Sequence, residues 1–265
     1  MKDLKIAIIG CGNLGLSIVH GLLESGKISA KNLTATKRNT PPIAHLKEKG
    51  VHITSNNKGA VLSADIIIFA VKPYNMQPIL ESLKPELMEK KPIIVSVATG
   101  ITIQEIKDWT QLDIPIFRAM PNTATDVKQS ITSICQEGAT AKEKDIITSL
   151  FNSLGEAIYI TEDLMEAATV LGACGIAYVM RFIRAMIQGG IQIGFDANTA
   201  STIVNHAVKG ASELLISRGE HPEFEIDKVT TPKGCTITGL NEMEHNGFSS
   251  SLIKGIVSSY QKIEK

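Results

Sequence analysis

A glycine-rich hexapeptide near the start of the chain has the spacing of a phosphate cradle. The apolar segment Lys5-Ile6-Ala7-Ile8-Ile9 runs directly into Gly10-Cys11-Gly12-Asn13-Leu14-Gly15, a G-x-G-x-x-G pattern. Between a strand and a helix, the first glycine permits a tight turn, the second lets the backbone approach a pyrophosphate, and the third lets the helix pack closely on the strand. Apolar residues at helical spacing follow as far as Gly26. We therefore predict a bound dinucleotide here, rather than a glycine-rich turn that binds nothing.

The end of the predicted second strand indicates which dinucleotide is bound. An NAD enzyme places Asp or Glu on the ribose hydroxyls about 20 residues past the glycine pattern. No Asp or Glu occurs between Ser25 and Lys47, and the corresponding residues are Thr36-Lys37-Arg38. A hydroxyl, an ammonium and a guanidinium complement the extra ribose phosphate of NADP. We predict NADPH as the cofactor, with NADH used at lower preference; a solvated basic turn is the alternative explanation of the two cations.

The composition gives no sign of a strong attraction to nucleic acid or to a membrane surface. The 265 residues include 27 Lys+Arg and 27 Asp+Glu, so the formal net charge is zero. Neither nucleic acid nor a membrane is therefore an expected partner, and a small-molecule substrate is. Nothing ahead of the first strand resembles a signal peptide, so we expect no targeting leader.

The four cysteines lack the spacing of a metal site or a disulfide framework. Cys11, Cys135, Cys174 and Cys235 are scattered without a C-x-x-C pair, and the six histidines show no metal-ligand spacing. We expect no metal cofactor. Unpaired cysteines suit a reducing compartment, so a cytoplasmic location is predicted.

The first part of the chain alternates strand-like and helix-like segments. Residues 65–71 and 92–97 are typical of buried parallel strands, and weaker strand patterns follow at 114–118, 131–135 and 157–160. This alternation predicts an N-terminal, doubly wound, Rossmann-like α/β domain over residues 1–161. Ligands of such sheets bind beyond the carboxyl ends of the strands.

Residues 162–265 show helical periodicity without further strand alternation. Residues 164–187 are apolar on nearly every side, but the uncharged run 167–180 has 14 residues, fewer than the about 20 that a bilayer requires. Glu166, Arg181 and Arg184 flank that run. We predict an all-α C-terminal dimerisation domain that buries this helix against a second copy. Assembly beyond a homodimer is left open.

A late loop forms a second candidate anion site. The segment Thr231-Pro232-Lys233-Gly234-Cys235-Thr236 contains two structure breakers before apolar helical spacing resumes. Free amides of Gly234, Cys235 and Thr236 at the helix start can hold a carboxylate, while the Thr236 hydroxyl stays available as a donor. The alternative is an ordinary helix cap in which Thr236 satisfies backbone donors.

This loop, followed by Glu242-Met243-Glu244 and Gly247-Phe248, resembles the signature of pyrroline-5-carboxylate reductases. Further segments are similar to that family over essentially the whole chain: Gly10 to Gly15, Ala70-Val71-Lys72-Pro73, Ala98-Thr99-Gly100, Met120-Pro121-Asn122-Thr123, Gly189-Gly190 and His221-Pro222. The resemblance implies an oxidoreductase of proline biosynthesis. It would transfer a hydride from NADPH to the imine carbon of 1-pyrroline-5-carboxylate and so produce L-proline.

The resemblance also implies residue roles. Thr236 matches the threonine that hydrogen-bonds the substrate's ring nitrogen, and we regard it as an orienting donor because a hydroxyl is a poor acid near neutral pH. Gly234, Cys235 and Thr236 would bind the substrate. Thr36, Arg38 and Asn57 would contact the adenosine half of the cofactor. The full implied cofactor set is Ile9, Gly10, Cys11, Gly12, Asn13, Leu14, Gly15, Thr36, Lys37, Arg38, Asn57, Ala70, Val71, Lys72, Pro73, Val97, Ala98 and Thr99.

Two segments depart from the family pattern. Lys233 stands where a small residue is usual, and Cys174-Gly175-Ile176 replaces an expected Ser-Gly-Pro. These departures keep open a reductase of another small cyclic imine or carbonyl on the same scaffold. A non-catalytic NADP-binding sensor is the alternative from another functional class, since fold alone does not prove function.

Overall fold

The computed structural model describes residues 3–263, so residues 1–2 and 264–265 of the two predicted domains lie outside the described range. The chain divides into two compact units. Among the described residues, the first comprises 3–174 together with 262–263, and the second is Gly175–Gln261.

The first unit is built on an eight-stranded sheet. Its strands are β1 (Ile6–Ile9), β2 (Leu33–Thr36), β3 (His52–Thr54), β4 (Ile66–Phe69), β5 (Ile93–Ser96), β6 (Ile116–Met120), β7 (Ser130–Glu137) and β8 (Gly155–Tyr159), in the order β3-β2-β1-β4-β5-β6-β7-β8. All neighbouring strands are parallel except β6 and β7. The predicted doubly wound sheet is confirmed.

Two features of the sheet were not predicted. Strand β3 has only three residues, too few for a clear alternation pattern. Strand β7 runs antiparallel to β6 because the connection between them is a short 3-10 segment, Thr123–Val127, with no crossover helix to reverse the direction of the chain.

Helices cover both faces of the sheet and create a separate apolar core on each. They are α1 (Asn13–Ser25), α2 (Asn57–Ser63), α3 (Met76–Lys90), α4 (Ile103–Thr110) and α5 (Ala141–Asn152). Because side chains alternate along a strand, Ile6 and Ile8 of β1 enter one core with Ile18 of α1. Ala7 and Ile9 enter the other core with Leu80 of α3. The whole of β1 is therefore buried.

A short helical segment after β8 belongs to the first unit. Helix α6 (Met165–Ala168) continues into a π-helical stretch, Thr169–Cys174. Buried Arg118 of β6 donates hydrogen bonds to Glu162 at 2.9 Å and to Glu166 at 2.7 Å, which attaches this segment to the sheet. The first compact unit thus extends past residue 161, where the strand pattern of the sequence ends. The boundary between functional domains at residues 161 and 162 stays a prediction.

The second unit is entirely helical. It comprises α7 (Gly175–Gln192), α8 (Ala197–Arg218), α9 (Pro222–Val229), α10 (Cys235–His245) and most of α11 (Phe248–Ile263). The Asp196 side chain caps α8 by accepting from the amides of Asn198 and Thr199 at 3.0 and 3.1 Å. Helices α7 and α11 meet through a hydrogen bond from the Tyr178 hydroxyl to Ser259 at 2.6 Å.

Helix α7 leaves its apolar side chains exposed within a single chain. It contains no buried residue, and Val179, Met180, Phe182, Met186 and Ile191 are all exposed. The stretch Glu162–Gln192 is long and apolar enough to cross a membrane by length and composition, with a mean hydropathy of 1.6 in its most apolar window. The 14-residue uncharged run 167–180 was expected to be too short to cross a bilayer. The longer stretch meets the length requirement because up to two charged residues are allowed within its 18-residue window. Exposed apolar helices also pack against partner subunits.

Candidate functional site

A cleft of about 850 Å³ lies in the first unit at the carboxyl ends of β1, β2, β4 and β5. Adjacent parallel strands end together at this edge, so the residues that follow each strand meet there. All the residues assigned to the cofactor from the sequence line this cleft except Gly15. It is also lined by residues that the sequence reasoning did not assign to the cofactor: Asn39, Ser55, Asn75, Ile79 and Thr123.

The three glycines of the turn have distinct steric roles. Gly10 has a φ of +94°, and a Cβ there would lie 2.5 Å from Val71 Cγ1. A Cβ on Gly15 would lie 2.7 Å from the Gly10 carbonyl oxygen, so Gly15 lets α1 pack closely on the turn. A Cβ on Gly12 would meet no atom within 4 Å. Gly12 is therefore open to the cleft, which suits close approach of a phosphate.

The free amides of the turn lie at the start of α1. The amides of Gly10 and Cys11 donate to the Thr36 carbonyl at 3.2 and 2.8 Å. The amides of Asn13, Leu14 and Gly15 occupy the first turn of α1, where a helix supplies no acceptor, and the Gly12 cap has no side-chain hydrogen bond. No acidic residue lies in that turn. These three donors and the helix dipole favour an anion.

Thr36 supports the glycine turn, whereas Lys37 and Arg38 offer positive charge at the cleft. Thr36 is only 1% exposed, and its hydroxyl accepts from the Gly10 amide at 3.3 Å, so this side chain positions the glycine turn. Lys37 is half-buried and Arg38 is exposed at the cleft edge. Within residues 3–263, neither cation has a carboxylate within 4 Å. Both charges are available to a ligand phosphate.

Cys11 lies at the cleft, and its buried thiol is not ionised. Burial raises the pKa of the Cys11 thiol to about 12, although Thr36 and Lys37 act in the opposite direction. The Sγ atom lies 3.9 Å from the Ile8 carbonyl oxygen, to which it donates. Cys11 therefore contributes its backbone to the site and no nucleophile.

The opposite wall of the cleft is held by the sheet. The Ala70 amide donates to the Ile9 carbonyl at 2.8 Å, and the Val97 amide donates to the Phe69 carbonyl at 3.1 Å. The Ala98 amide donates to Ser96 Oγ at 3.3 Å. These bonds fix the starts of the segments 70–73 and 97–99 at the ends of neighbouring strands. Both segments line the cleft, with apolar Ala70, Val71, Pro73, Val97 and Ala98 and polar Lys72 and Thr99.

Thr123 enters the cleft from a segment that the sequence marked only by family resemblance. The preceding Asn122 is 5% exposed; its Oδ1 accepts from the Ala124 amide at 2.9 Å and its Nδ2 donates to the Gly172 carbonyl at 3.0 Å. A Cβ on Gly21 of α1 would lie 2.3 Å from the Thr125 carbonyl oxygen, so this segment packs directly on α1. In the sequence, the family-like segment Met120-Pro121-Asn122-Thr123 was the feature that could have identified Thr123 as a cleft residue.

The late loop, in the second unit, forms a tight turn before α10. The Gly234 amide donates to the Thr231 carbonyl at 2.9 Å, with Pro232 and Lys233 between them. The expectation of a free Gly234 amide is therefore wrong, because that amide closes the turn. A Cβ on Gly234 would lie 2.5 Å from Thr231 Oγ1, so the position requires glycine.

The first turn of α10 has backbone amides without an acceptor from a capping side chain. Gly234 caps the helix without a side-chain hydrogen bond, and no acidic residue lies in the first turn. The amides of Cys235 and Thr236 are thus available to an anion. The Thr236 hydroxyl does not cap the helix, whereas the Thr238 hydroxyl donates to the Gly234 carbonyl at 3.2 Å. Among residues 3–263, no group of three or more His, Cys, Asp or Glu side chains is placed to hold a metal ion.

Comparison with known proteins identifies similar sequences over the whole chain. The family model described as pyrroline-5-carboxylate reductase dimerisation matches residues 162–265, and the model described as NADP oxidoreductase coenzyme F420-dependent matches residues 5–100. Pyrroline-5-carboxylate reductase 2 of Dictyostelium discoideum is 44% identical over 283 residues, covering 99% of this chain and 94% of that protein. Pyrroline-5-carboxylate reductase 1 of the same organism is also 44% identical, covering 99% of this chain, which spans only 50% of that longer protein.

Solved structures agree with the sequence comparison. The crystal structure of Plasmodium falciparum pyrroline carboxylate reductase with NADP bound superposes with a TM-score of 0.91 and 26% identity, covering 99% of this chain and 98% of that one. A pyrroline-5-carboxylate reductase from Coxiella burnetii superposes with a TM-score of 0.88 and 28% identity, covering 98% and 97%.

Proposed function

Because the chain belongs to the pyrroline-5-carboxylate reductase family, we propose that it uses NADPH to reduce the C=N bond of 1-pyrroline-5-carboxylate to L-proline, the last step of proline biosynthesis. The observation that carries this proposal is the cleft at the sheet edge, in which a glycine turn, free helix amides and unpaired cations meet an apolar wall. Full-length similarity to named reductases supports the same activity.

The residues of the cleft fit NADP(H). The open space at Gly12 and the amides of Asn13 and Leu14, which line the cleft, suit the pyrophosphate. Arg38 and Lys37 suit the ribose phosphate, and we assign Asn57, which lines the same cleft, to the adenosine half. The segments 70–73 and 97–99 suit the nicotinamide half. When bound, the cofactor supplies the hydride.

The loop before α10 suits the substrate carboxylate. The amides of Cys235 and Thr236 bind the carboxylate, and Gly234 shapes the turn that aims them. The Thr236 hydroxyl donates to the ring nitrogen and orients the imine. Because a hydroxyl has a high pKa, the proton comes from solvent when the imine is neutral; when the imine is already protonated, its N–H donates to the Thr236 oxygen instead.

The second unit supplies the interface of a homodimer. Its support is the exposed apolar surface of α7 together with the dimerisation-family match over residues 162–265. A cytoplasmic location is supported by four cysteines that are free in the structure, two of them buried.

A steady-state assay tests the proposal. The full chain is incubated with NADPH and 1-pyrroline-5-carboxylate, and loss of NADPH absorbance is followed together with chiral identification of L-proline; NADH and reactions without imine are the controls. Oxidation of NADPH coupled to L-proline formation is expected. Turnover with a different cyclic imine only would favour the alternative that Cys174-Gly175-Ile176 motivates. Tight NADPH binding without turnover of any imine would indicate a sensor.

A further inference from the structure

Lys233 occupies a backbone position that ordinarily selects glycine. The turn Thr231-Pro232-Lys233-Gly234 is closed by the hydrogen bond from the Gly234 amide to the Thr231 carbonyl at 2.9 Å. Pro232 stands at its second position and Lys233, with a φ of +59°, at its third. This combination defines a type II turn, whose third residue needs positive φ and is commonly Gly or Asn. A lysine there adopts a conformation that a Cβ disfavours.

The other non-glycine residues with positive φ have an ordinary structural reason. Within residues 3–263 these are Lys91, Gln111 and Lys128, and each follows the last residue of a helical segment. Their amides bond back to carbonyls of the final turn, as a left-handed cap does. Lys233 precedes a helix and caps none. Its left-handed conformation is therefore not explained by helix termination.

Lys233 is also the only formal charge in its part of the chain. From Val229 to Asn241 the sequence contains no other Lys or Arg and no Asp or Glu. The side chain is exposed and, within the described residues, has no carboxylate within 4 Å. Immediately after it, the first turn of α10 begins with no side-chain cap and no acid. A single unpaired cation thus stands beside open amide donors.

We propose that Lys233 is a substrate-binding residue whose ammonium attracts the carboxylate held by the Cys235 and Thr236 amides, and that it selects carboxylate-bearing cyclic imines over neutral ones. This inference rests on the proposed function, which places the substrate at that helix start. The amides provide directional bonds, and the flexible ammonium adds charge without fixed geometry. Such a residue affects substrate capture and leaves hydride transfer itself unchanged.

Four variants separate charge from backbone strain. K233M removes the charge and retains much of the side-chain length, K233R retains the charge, and K233G removes the charge while relieving the positive φ. K91G is the matched control, since Lys91 has the same φ region at the end of α3 in the first unit. Assays measure kcat and KM for 1-pyrroline-5-carboxylate and for neutral 1-pyrroline, KM for NADPH, and the melting temperature.

K233M and K233G are expected to raise KM for 1-pyrroline-5-carboxylate roughly fivefold, the range of a partly solvated charge contact. Their kcat, their KM for NADPH and their activity on 1-pyrroline should stay near wild type, and K233R should restore KM. The wild-type KM should rise with ionic strength, and that of K233M should not. K233G and K91G should both melt at or above the wild-type temperature, with KM altered only in K233G.

Failure of the Lys233 proposal and failure of the proposed function give different results. If the wild type turns over 1-pyrroline-5-carboxylate and K233M has the same KM and salt response, the role of Lys233 is overturned and the proposed function stands. If the wild type does not reduce this imine, the proposed function fails and the inference about Lys233 fails with it.

Discussion

The Nη2 atom of Arg118 donates to Oε1 of Glu166 at 2.7 Å, and this bond joins β6 to the helix that leads into the π-helical stretch. Arg118 is 3% exposed, and its Nη1 also donates to Glu162 at 2.9 Å. This ion pair connects residues far apart in sequence, so its loss should destabilise the packing of α6 against the sheet.

Replacing Arg118 with Met should destabilise the protein by about 3 kcal/mol, because it leaves the half-buried Glu166 carboxylate without its cation. Chemical denaturation measures the change. Glu162→Gln is the milder control: Glu162 is 35% exposed, and a glutamine retains the oxygen that accepts from the Ile103 amide at 2.8 Å. A loss of about 1 kcal/mol is expected there. Equal stability of R118M and wild type would show that the pair contributes nothing.

Substituting Gly12 with Ala should separate cofactor binding from folding. The added Cβ meets no protein atom within 4 Å, so stability should change by no more than about 1 kcal/mol. The same Cβ occupies the space assigned to the pyrophosphate, so NADPH affinity should fall more than about tenfold. Fluorescence titration with NADPH measures this. Gly10→Ala is the contrast, since its Cβ would meet Val71 at 2.5 Å and should lower both stability and affinity. Unaltered NADPH binding by G12A would argue against the assigned site.

Arg38→Ala should weaken NADPH binding about tenfold or more and leave NADH binding nearly unchanged. The lost interaction is a charge-assisted contact with the phosphate that only NADPH carries. The dissociation constants of both nucleotides are measured on the same preparation. Parallel losses for the two nucleotides would contradict the assignment of Arg38 to the extra phosphate.

Thr236→Val should lower kcat about 10- to 100-fold with little effect on NADPH affinity, because it removes a donor aimed at the substrate. Thr238→Val is the matched control two residues along α10, where the hydroxyl donates to the Gly234 carbonyl instead. That variant should retain near wild-type kcat. Steady-state kinetics on both proteins test the pair, and a normal kcat in T236V would exclude the role proposed for its hydroxyl.

Asp65 should contribute to a loss of stability in acid. Burial alone would raise the pKa of this carboxyl, but hydrogen bonds from the Lys5 amide at 3.1 Å and Lys90 Nζ at 3.0 Å outweigh it and lower the pKa. Because the folded-state pKa lies below the unfolded value of about 3.9, the stabilisation is complete well above that pH and is lost as pH falls through the lowered pKa.

Asp65→Asn should therefore reduce the melting temperature near neutral pH and weaken its decline below about pH 4. Melting temperatures across an acid pH series measure this. Asp113→Asn is the control, since Asp113 is exposed and forms no ion pair among residues 3–263. A D65N curve parallel to wild type throughout the acid range would show that Asp65 has no such role.

Much of the cofactor cleft was predictable because its signals are local. The glycine spacing from Gly10 to Gly15 and the missing acid after β2 are read within a few residues, and parallel strands bring their ends to one edge by a general rule. Thr123 was not assigned to the cofactor because it begins the short connection between antiparallel β6 and β7, which no residue spacing indicates. The partnership of Arg118 with Glu166 was equally inaccessible, since nothing in the sequence pairs two residues 48 positions apart.

The sequence by itself determined the α/β order of the first part, the helical character of the second and the glycine-rich turn, and it predicted a cofactor with a phosphorylated ribose. Periodicity and residue chemistry are sufficient for these. Only the tertiary structure decided that the Gly234 amide closes a turn, that Thr36 supports the glycine turn from a buried position, and that Lys233 has a positive φ. Those facts depend on which donors, acceptors and backbone conformations remain after packing, and packing is set by contacts between segments that no short pattern contains.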